Sequence, residues 1–94
     1  MDRNNEDLTA AFADVLRRRR VAAGLTQEQL AELADVSVRH VSFLETKRRQ
    51  PTLSVIAALS SGLGLTLAEF AGEIEAEWRV ADHDHQVSLG KASG

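Results

Sequence analysis

The chain has 94 residues, of which 44% are hydrophobic, 27% are charged, 4% are aromatic and none is cysteine. This composition predicts one small globular domain and argues against a disordered chain. The lack of cysteine excludes disulfides and thiolate metal sites and fits a reducing compartment. Without an apolar run of about 18 residues, the sequence predicts no transmembrane helix, and we expect a cytoplasmic protein.

The net charge of −3 is distributed unevenly along the chain. Residues 1–15 carry four acids and one base, and residues 52–94 carry six acids and two bases. Between them, residues 16–51 carry eight bases and four acids, a balance of +4. A basic segment between acidic ends favours a polyanionic partner for the middle of the chain, although the total charge argues against one.

Apolar residues recur at three- and four-residue spacings, which predict helices from the first quarter of the chain onward. A first helix is expected over about residues 7–23, with Gly24 as a left-handed stop. A second helix begins after Thr26, because Thr26 and Gln29 have the spacing of a capping box.

The central part of the chain contains signals for two more helices. Ser37 is a good N-cap for a third helix that runs to about Glu45. A basic loop over residues 46–51 follows, and Thr52 caps a fourth helix that Gly64 ends.

A fifth helix begins with the capping-box pair Thr66 and Glu69 and is predicted to end near Arg79. We therefore predict a five-helix, all-α domain over residues 1–79, with an acidic, flexible tail over residues 80–94. The sequence Asp-His-Asp-His in that tail is a weak metal candidate, since no helix is expected to fix it, and no metal or cofactor is predicted.

The second and third helices have the pattern of a helix-turn-helix, over about residues 26–46. Ala31 is small enough for the point where the two helices cross, and Val41 and Leu44 lie on the buried side of the third helix. Arg39 and His40 occupy its polar, outward side. In this arrangement the second helix of the pair enters the major groove of DNA.

In residues 20–37, 41–53 and 63–67 the sequence resembles the lambda-repressor-like (Xre/Cro) helix-turn-helix proteins. The blocks are Arg-Val-Ala-Ala-Gly-Leu-Thr-Gln-Glu-Gln-Leu-Ala-Glu-Leu-Ala-Asp-Val-Ser, Val-Ser-Phe-Leu-Glu-Thr-Lys-Arg-Arg-Gln-Pro-Thr-Leu and Leu-Gly-Leu-Thr-Leu. The resemblance covers about residues 12–71 and implies a five-helix DNA-binding domain, here with an extended C-terminal helix. It further implies a prokaryotic or phage transcriptional regulator, a repressor that binds a palindromic operator on double-stranded DNA as a homodimer.

The resemblance also implies which residues contact DNA. Residues early in the third helix would read bases, with Arg39 the strongest candidate because a guanidinium can bind guanine through two hydrogen bonds. The other candidates for base or phosphate contacts are Gln27, Ser37, Val38, His40, Ser42, Phe43, Lys47, Arg48 and Arg49.

Some assignments have a structural alternative. Phe43 fits packing at the helix end as well as contact with a thymine methyl group, and His40 fits either a base contact or an ordinary surface position. Arg20 and Glu45 match a buried ion pair of the family. Asp35 and Lys47 stand where the family often has glycine.

The apolar stripe Phe70, Ile74 and Trp78 fits either a dimer interface or the completion of the monomer core. Two further functions compete with a lone regulator. One is an antitoxin whose acidic C-terminal third neutralises a toxin, and the other is a restriction–modification controller protein. An enzyme is not expected, since no nucleophile, base and acid combine in a catalytic pattern.

Overall fold

The computed structural model describes the backbone of residues 3–93 and the side chains of residues 5–81. Within these residues the chain forms five α-helices and no strand, which confirms the predicted all-α class. No single described helix is long and apolar enough to cross a membrane, although α4 and residues 67–81, bent by 107°, together meet that length and composition. The helices are α1 (Arg3–Ala22), α2 (Gln27–Ala34), α3 (Val38–Glu45), α4 (Leu53–Gly62) and α5 (Leu67–Ser93).

Hydroxyl side chains fix the start of the four later helices. In each case the hydroxyl oxygen accepts a hydrogen bond from the backbone N–H three residues on, at 3.0 to 3.1 Å. α2 and α3 have only eight residues each, and helices this short need caps and packing to persist. The capping residues are the predicted ones, Thr26, Ser37, Thr52 and Thr66.

The prediction that helix 5 ends near Arg79 is wrong, because α5 continues to Ser93. The apolar periodicity ends near Arg79, but residues 80–93 contain no proline and only one glycine, Gly90, so no residue interrupts the backbone hydrogen bonding. The weak metal candidate over residues 82–85 lies outside the described side chains. The flexibility of residues 80–94 stays a prediction.

A single hydrophobic core joins all five helices. α1 contributes Phe12, whose ring packs against that of Phe70 on α5, with centroids 6.0 Å apart and planes tilted by 58°. α2 and α3 are held against this core by their own buried residues, so the helix-turn-helix is part of the domain and not an appendage. The large fully buried apolar residues are Val15, Leu16, Leu30, Val41, Leu44, Leu59 and Phe70.

The predicted dimer residues divide between core and surface. Phe70 is fully buried and Ile74 is 8% exposed, and both belong to the core of the monomer. The assignment of Phe70 to a dimer interface is therefore corrected, because the monomer core already uses its apolar surface. Ile74 keeps a small exposed fraction and lines an apolar groove together with Trp78, so its interface role stays a prediction. Trp78 is only partly buried and packs at the edge of the core.

Candidate nucleic-acid interface

The turn between α2 and α3 has the geometry that the helix-turn-helix requires. Ala31 is 4% exposed in the contact between the helices, and its carbonyl oxygen accepts a hydrogen bond from the N–H of Val36 at 3.0 Å. Asp35 takes left-handed backbone angles, φ 57 and ψ 46. Aspartate therefore adopts the conformation for which the family often uses glycine, and the turn keeps its shape.

α3 presents one apolar and one polar side. Val41 and Leu44 are fully buried and hold the helix on the core. Arg39 is exposed, and Val38 is 43% exposed. The other predicted base-reading residues, His40, Ser42 and Phe43, are half-buried.

The loop after α3 places three consecutive cations at the C-terminal end of that helix. Lys47 takes a positive φ of 65°, and Lys47, Arg48 and Arg49 are all exposed. The Arg48 guanidinium lies over the Phe43 ring, 5.5 Å from its centroid. This cation–π contact favours the packing role for Phe43, and sequence reasoning missed it.

Arg20 and Glu45 form the expected ion pair between α1 and α3. Arg20 Nε donates to Glu45 Oε2 at 2.6 Å and Nη2 donates to Oε1 at 3.0 Å, while Nη1 donates to the Leu25 carbonyl at 2.9 Å. The Arg20 side chain is 14% exposed and the Glu45 side chain 4%. The hydrogen bond with Glu45 raises the pKa of Arg20 and favours the charged guanidinium, and the pair fixes α3 against α1.

Gln27, a predicted phosphate contact, also joins this network. Its side-chain amide donates to Glu45 Oε1 at 3.1 Å. A carboxamide has two N–H groups, so one remains to donate to another acceptor. Glu45 therefore orients the first residue of α2 as well as α3, which the sequence did not reveal.

Two of the arginines that precede Arg20 form ion pairs with α5 at the protein surface. Arg18 pairs with Glu77 at 3.3 Å, and Arg19 makes two hydrogen bonds to Glu73 of α5. The hydrogen bond between Arg19 and Glu73 raises the pKa of Arg19 and lowers that of Glu73, which favours the charged forms of both residues. These contacts join α1 to α5 and partly neutralise both arginines, so they contribute less to a surface for DNA than an unpaired cation does.

Apart from the exposed Arg17 on α1, the unpaired cations among the described residues lie on α3 and the loop that follows it. Arg39, Lys47, Arg48 and Arg49 form none of the ion pairs found in the part of the chain that the structure describes. An eight-residue helix is about 12 Å long, so positive charge lies at both ends of α3. Such a surface provides cations and hydrogen-bond donors for a polyanion, the requirement for contact with a phosphate backbone.

Comparisons with known proteins agree with this geometry. The helix-turn-helix family model matches residues 16–70. The control protein C.MunI from Mycoplasma sp is 32% identical over 72 residues, which cover 76% of this chain and 97% of that protein.

Solved structures that share the fold include two regulators of known structure. The clp gene regulator ClgR from Corynebacterium glutamicum has a TM-score of 0.75 and 26% identity over 87% of each chain. The restriction-modification controller protein C.AhdI from Aeromonas hydrophila has a TM-score of 0.64 and 32% identity, over 66% of this chain and 94% of that one. The chain therefore belongs to the helix-turn-helix family, in its lambda-repressor-like branch, and is a DNA-binding transcriptional regulator.

Proposed function

We propose that the protein binds a palindromic operator as a homodimer, with α3 of each copy in the major groove, and represses transcription by blocking polymerase. The observation that carries this proposal is the exposed Arg39 on the outward side of α3, free of any ion pair with the described residues. A guanidinium in this position can bind O6 and N7 of one guanine. Val38 and His40 flank it and would contact neighbouring base edges.

Phosphate contacts surround this base-reading centre. Ser37 accepts the capping hydrogen bond from the His40 N–H through its oxygen, and its own O–H remains free to donate to a phosphate. Gln27 retains one N–H beside its bond to Glu45. Lys47 and its two arginine neighbours add charge along the DNA backbone, which strengthens binding to every sequence alike.

An apolar groove supports the dimer. It has a volume of about 600 Å³ and lies between the start of α1, the start of α4 and the first three turns of α5. Three of its leucines are substantially exposed: Leu8 at 37%, Leu53 at 73% and Leu67 at 42%. Contiguous exposed apolar residues of this kind are usually covered by a partner. A second copy on this surface would form a two-fold dimer, with its recognition helices about 34 Å apart on DNA.

A second candidate function is control of the genes of a restriction–modification operon. The observation that favours it is the similarity to two control proteins, C.MunI and C.AhdI, each 32% identical to this chain. The DNA-binding mechanism is the same in both cases. The two candidates differ in whether the operator lies upstream of restriction and methyltransferase genes, which sequencing of the neighbouring genes would decide.

Arg39→Ala tests the assignment of the base-reading residue. Operators are first selected from random DNA with the unaltered protein, and affinities are then measured for the selected site and for single-base variants. We expect the substitution to cost at least about 1 kcal/mol on the selected site and to relax the preference at one base position.

The matched control is Arg17→Ala, which removes one exposed arginine of α1 that lies outside the proposed interface. It changes the net charge equally and should leave the base preference intact. An Arg39→Ala protein with unaltered affinity and base preference would contradict the proposed role of α3.

A further inference from the structure

The first turns of α1 and the basic loop line one pocket of about 330 Å³. Glu6 provides the carboxylate among its lining residues, and the cations are those assigned above to the phosphate backbone. Glu6 is exposed and forms no ion pair with any of them in the described part of the chain. The residues that line the pocket are Asn5, Glu6, Thr9, Lys47, Arg48, Arg49 and Gln50.

We infer that Glu6 competes with DNA phosphates for the cations of the basic loop and thereby limits the affinity of the protein for DNA of any sequence. This inference rests on the proposed function, since Glu6 would limit DNA binding at the surface that is proposed to contact phosphates. An approaching phosphate meets Glu6 as a like charge and must share the loop cations with it. Both effects oppose binding, and both act without reference to base sequence.

The competition also has a consequence for salt dependence. DNA binding releases about one counterion for each phosphate that a protein cation neutralises, so the logarithm of the binding constant falls linearly with the logarithm of salt concentration. Because the Glu6 carboxylate lines the same pocket as the loop cations, its charge lowers the positive potential there, and phosphate binding should release less counterion. Removal of the Glu6 charge should therefore steepen this dependence by up to about one unit, the contribution of one phosphate contact.

Glu6 also lies in the first turn of α1, where an acidic residue stabilises a helix through the helix dipole. This purely structural role makes a different prediction. Neutralising Glu6 would then lower the melting temperature slightly and leave DNA affinity and its salt dependence unaltered. The two roles are therefore separable by experiment.

The test compares Glu6→Gln with Asp14→Asn in the full chain. Both substitutions remove one negative charge from α1, but exposed Asp14 lies two turns further on and lines a different surface with Arg17, Arg18 and Val21. Affinities are measured by fluorescence anisotropy between 50 and 200 mM salt, with a selected operator and with a random duplex, and melting curves verify that both variants are folded. We expect Glu6→Gln to increase both affinities by a similar factor, on the order of several-fold at low salt, and to steepen the salt dependence. Asp14→Asn should change both quantities much less.

Three outcomes would overturn the inference. If both variants tighten binding equally, the effect comes from net charge and not from the pocket at the basic loop. If Glu6→Gln has no effect while Arg39→Ala behaves as expected, the inference fails and the proposed function stands. If the unaltered protein selects no DNA sequence, the proposed function fails and the inference fails with it.

Discussion

Lys47 combines a strained backbone with a charge that the proposed function uses. Its φ of 65° lies in the left-handed region, which costs a residue with a side chain about 1 kcal/mol or more relative to a right-handed conformation. The Lys47 N–H donates to the Leu44 carbonyl at 3.4 Å, and the next N–H, of Arg48, donates to Phe43 at 2.8 Å. The end of α3 therefore requires this conformation, whichever residue occupies the position.

Substitution of Lys47 by glycine should separate the strain from the charge. Lys47→Gly relieves the strain and should raise the free energy of unfolding by about 0.5–1 kcal/mol relative to Lys47→Ala, measured by urea denaturation. Both variants lack the cation and should lose DNA affinity equally on all sequences, with a salt dependence flatter by about one unit. Equal stability of the two variants would show that the left-handed turn stores no strain.

Single residues differ in how far the sequence could predict their partners. The Arg20–Glu45 pair was predicted because both positions match a family pattern. The partners of Arg18 and Arg19 lie 59 and 54 positions away on α5, and no local periodicity relates such positions. The acids Glu69, Glu73 and Glu77, spaced four apart on one helix face, are the signal that could have suggested them.

At the level of helices, the sequence predicted where helices begin but not where the last helix, α5, ends. A helix start depends on a side-chain hydroxyl that accepts a hydrogen bond from the backbone N–H three residues later. Thr26, Ser37 and Thr66 could therefore be recognised from short sequence patterns. The end of a helix depends on a stop residue or on loss of packing. For α5 the loss of apolar periodicity suggested an end near Arg79, but residues 80–93 offer no strong stop, and the helix continues to Ser93.

Two helical glycines provide a test of packing against propensity. A Cβ atom on Gly62 would lie 3.2 Å from Leu30 Cδ1 and 3.4 Å from Leu33 Cβ, where α4 meets α2, whereas a Cβ on Gly72 would meet nothing within 4 Å. Helix propensity alone favours alanine at both sites by about 1 kcal/mol. We expect Gly72→Ala to gain most of that amount and Gly62→Ala to lose about 1 kcal/mol or more, because crowding outweighs propensity.

Thermal and urea unfolding of the two glycine variants would measure the difference directly. Because both substitutions add the same methyl group inside a helix, the comparison isolates the contact with α2. A Gly62→Ala variant as stable as Gly72→Ala would mean that α4 can move away from α2 at no cost. The position of α2, and with it the helix-turn-helix, would then be less tightly fixed than the packing indicates.

For the molecule as a whole, the net charge of a sequence segment differs from the charge that the folded protein offers to a partner. The segment-level +4 of residues 16–51 includes Arg18, Arg19 and Arg20, and each of these pairs with a glutamate elsewhere in the protein. Folding therefore pairs three of the four arginines in the run on α1, and apart from Arg17 the unpaired cations of the described residues lie near α3. Composition predicted a basic middle segment, but only the tertiary contacts show which of its bases are available.

The proposed dimer predicts a change in the mass of the particle in solution. Leu53→Glu puts a charge into the apolar groove at a residue that is 73% exposed, at the first position of α4, where an acid favours the helix. The monomer should remain folded, and sedimentation equilibrium should give a mass nearer 10.2 kDa than twice that value. Leu33→Glu, at a leucine that is 58% exposed outside the groove, should leave the dimer intact. If both variants remain dimeric, the partner does not bind at this groove.

The contacts of α1 fix its helical phase. The residues Phe12, Val15 and Leu16 face the core, while Arg18 to Arg20 reach toward acids on two other helices. Each residue of an α-helix turns the chain by about 100°, so one inserted or deleted residue between Leu16 and Arg18 would rotate one group away from its partners. Substitutions in this stretch change single contacts, whereas a change in its length misaligns all of them together. The number of residues between Leu16 and Arg18 is therefore as important for the fold as the identity of the residues.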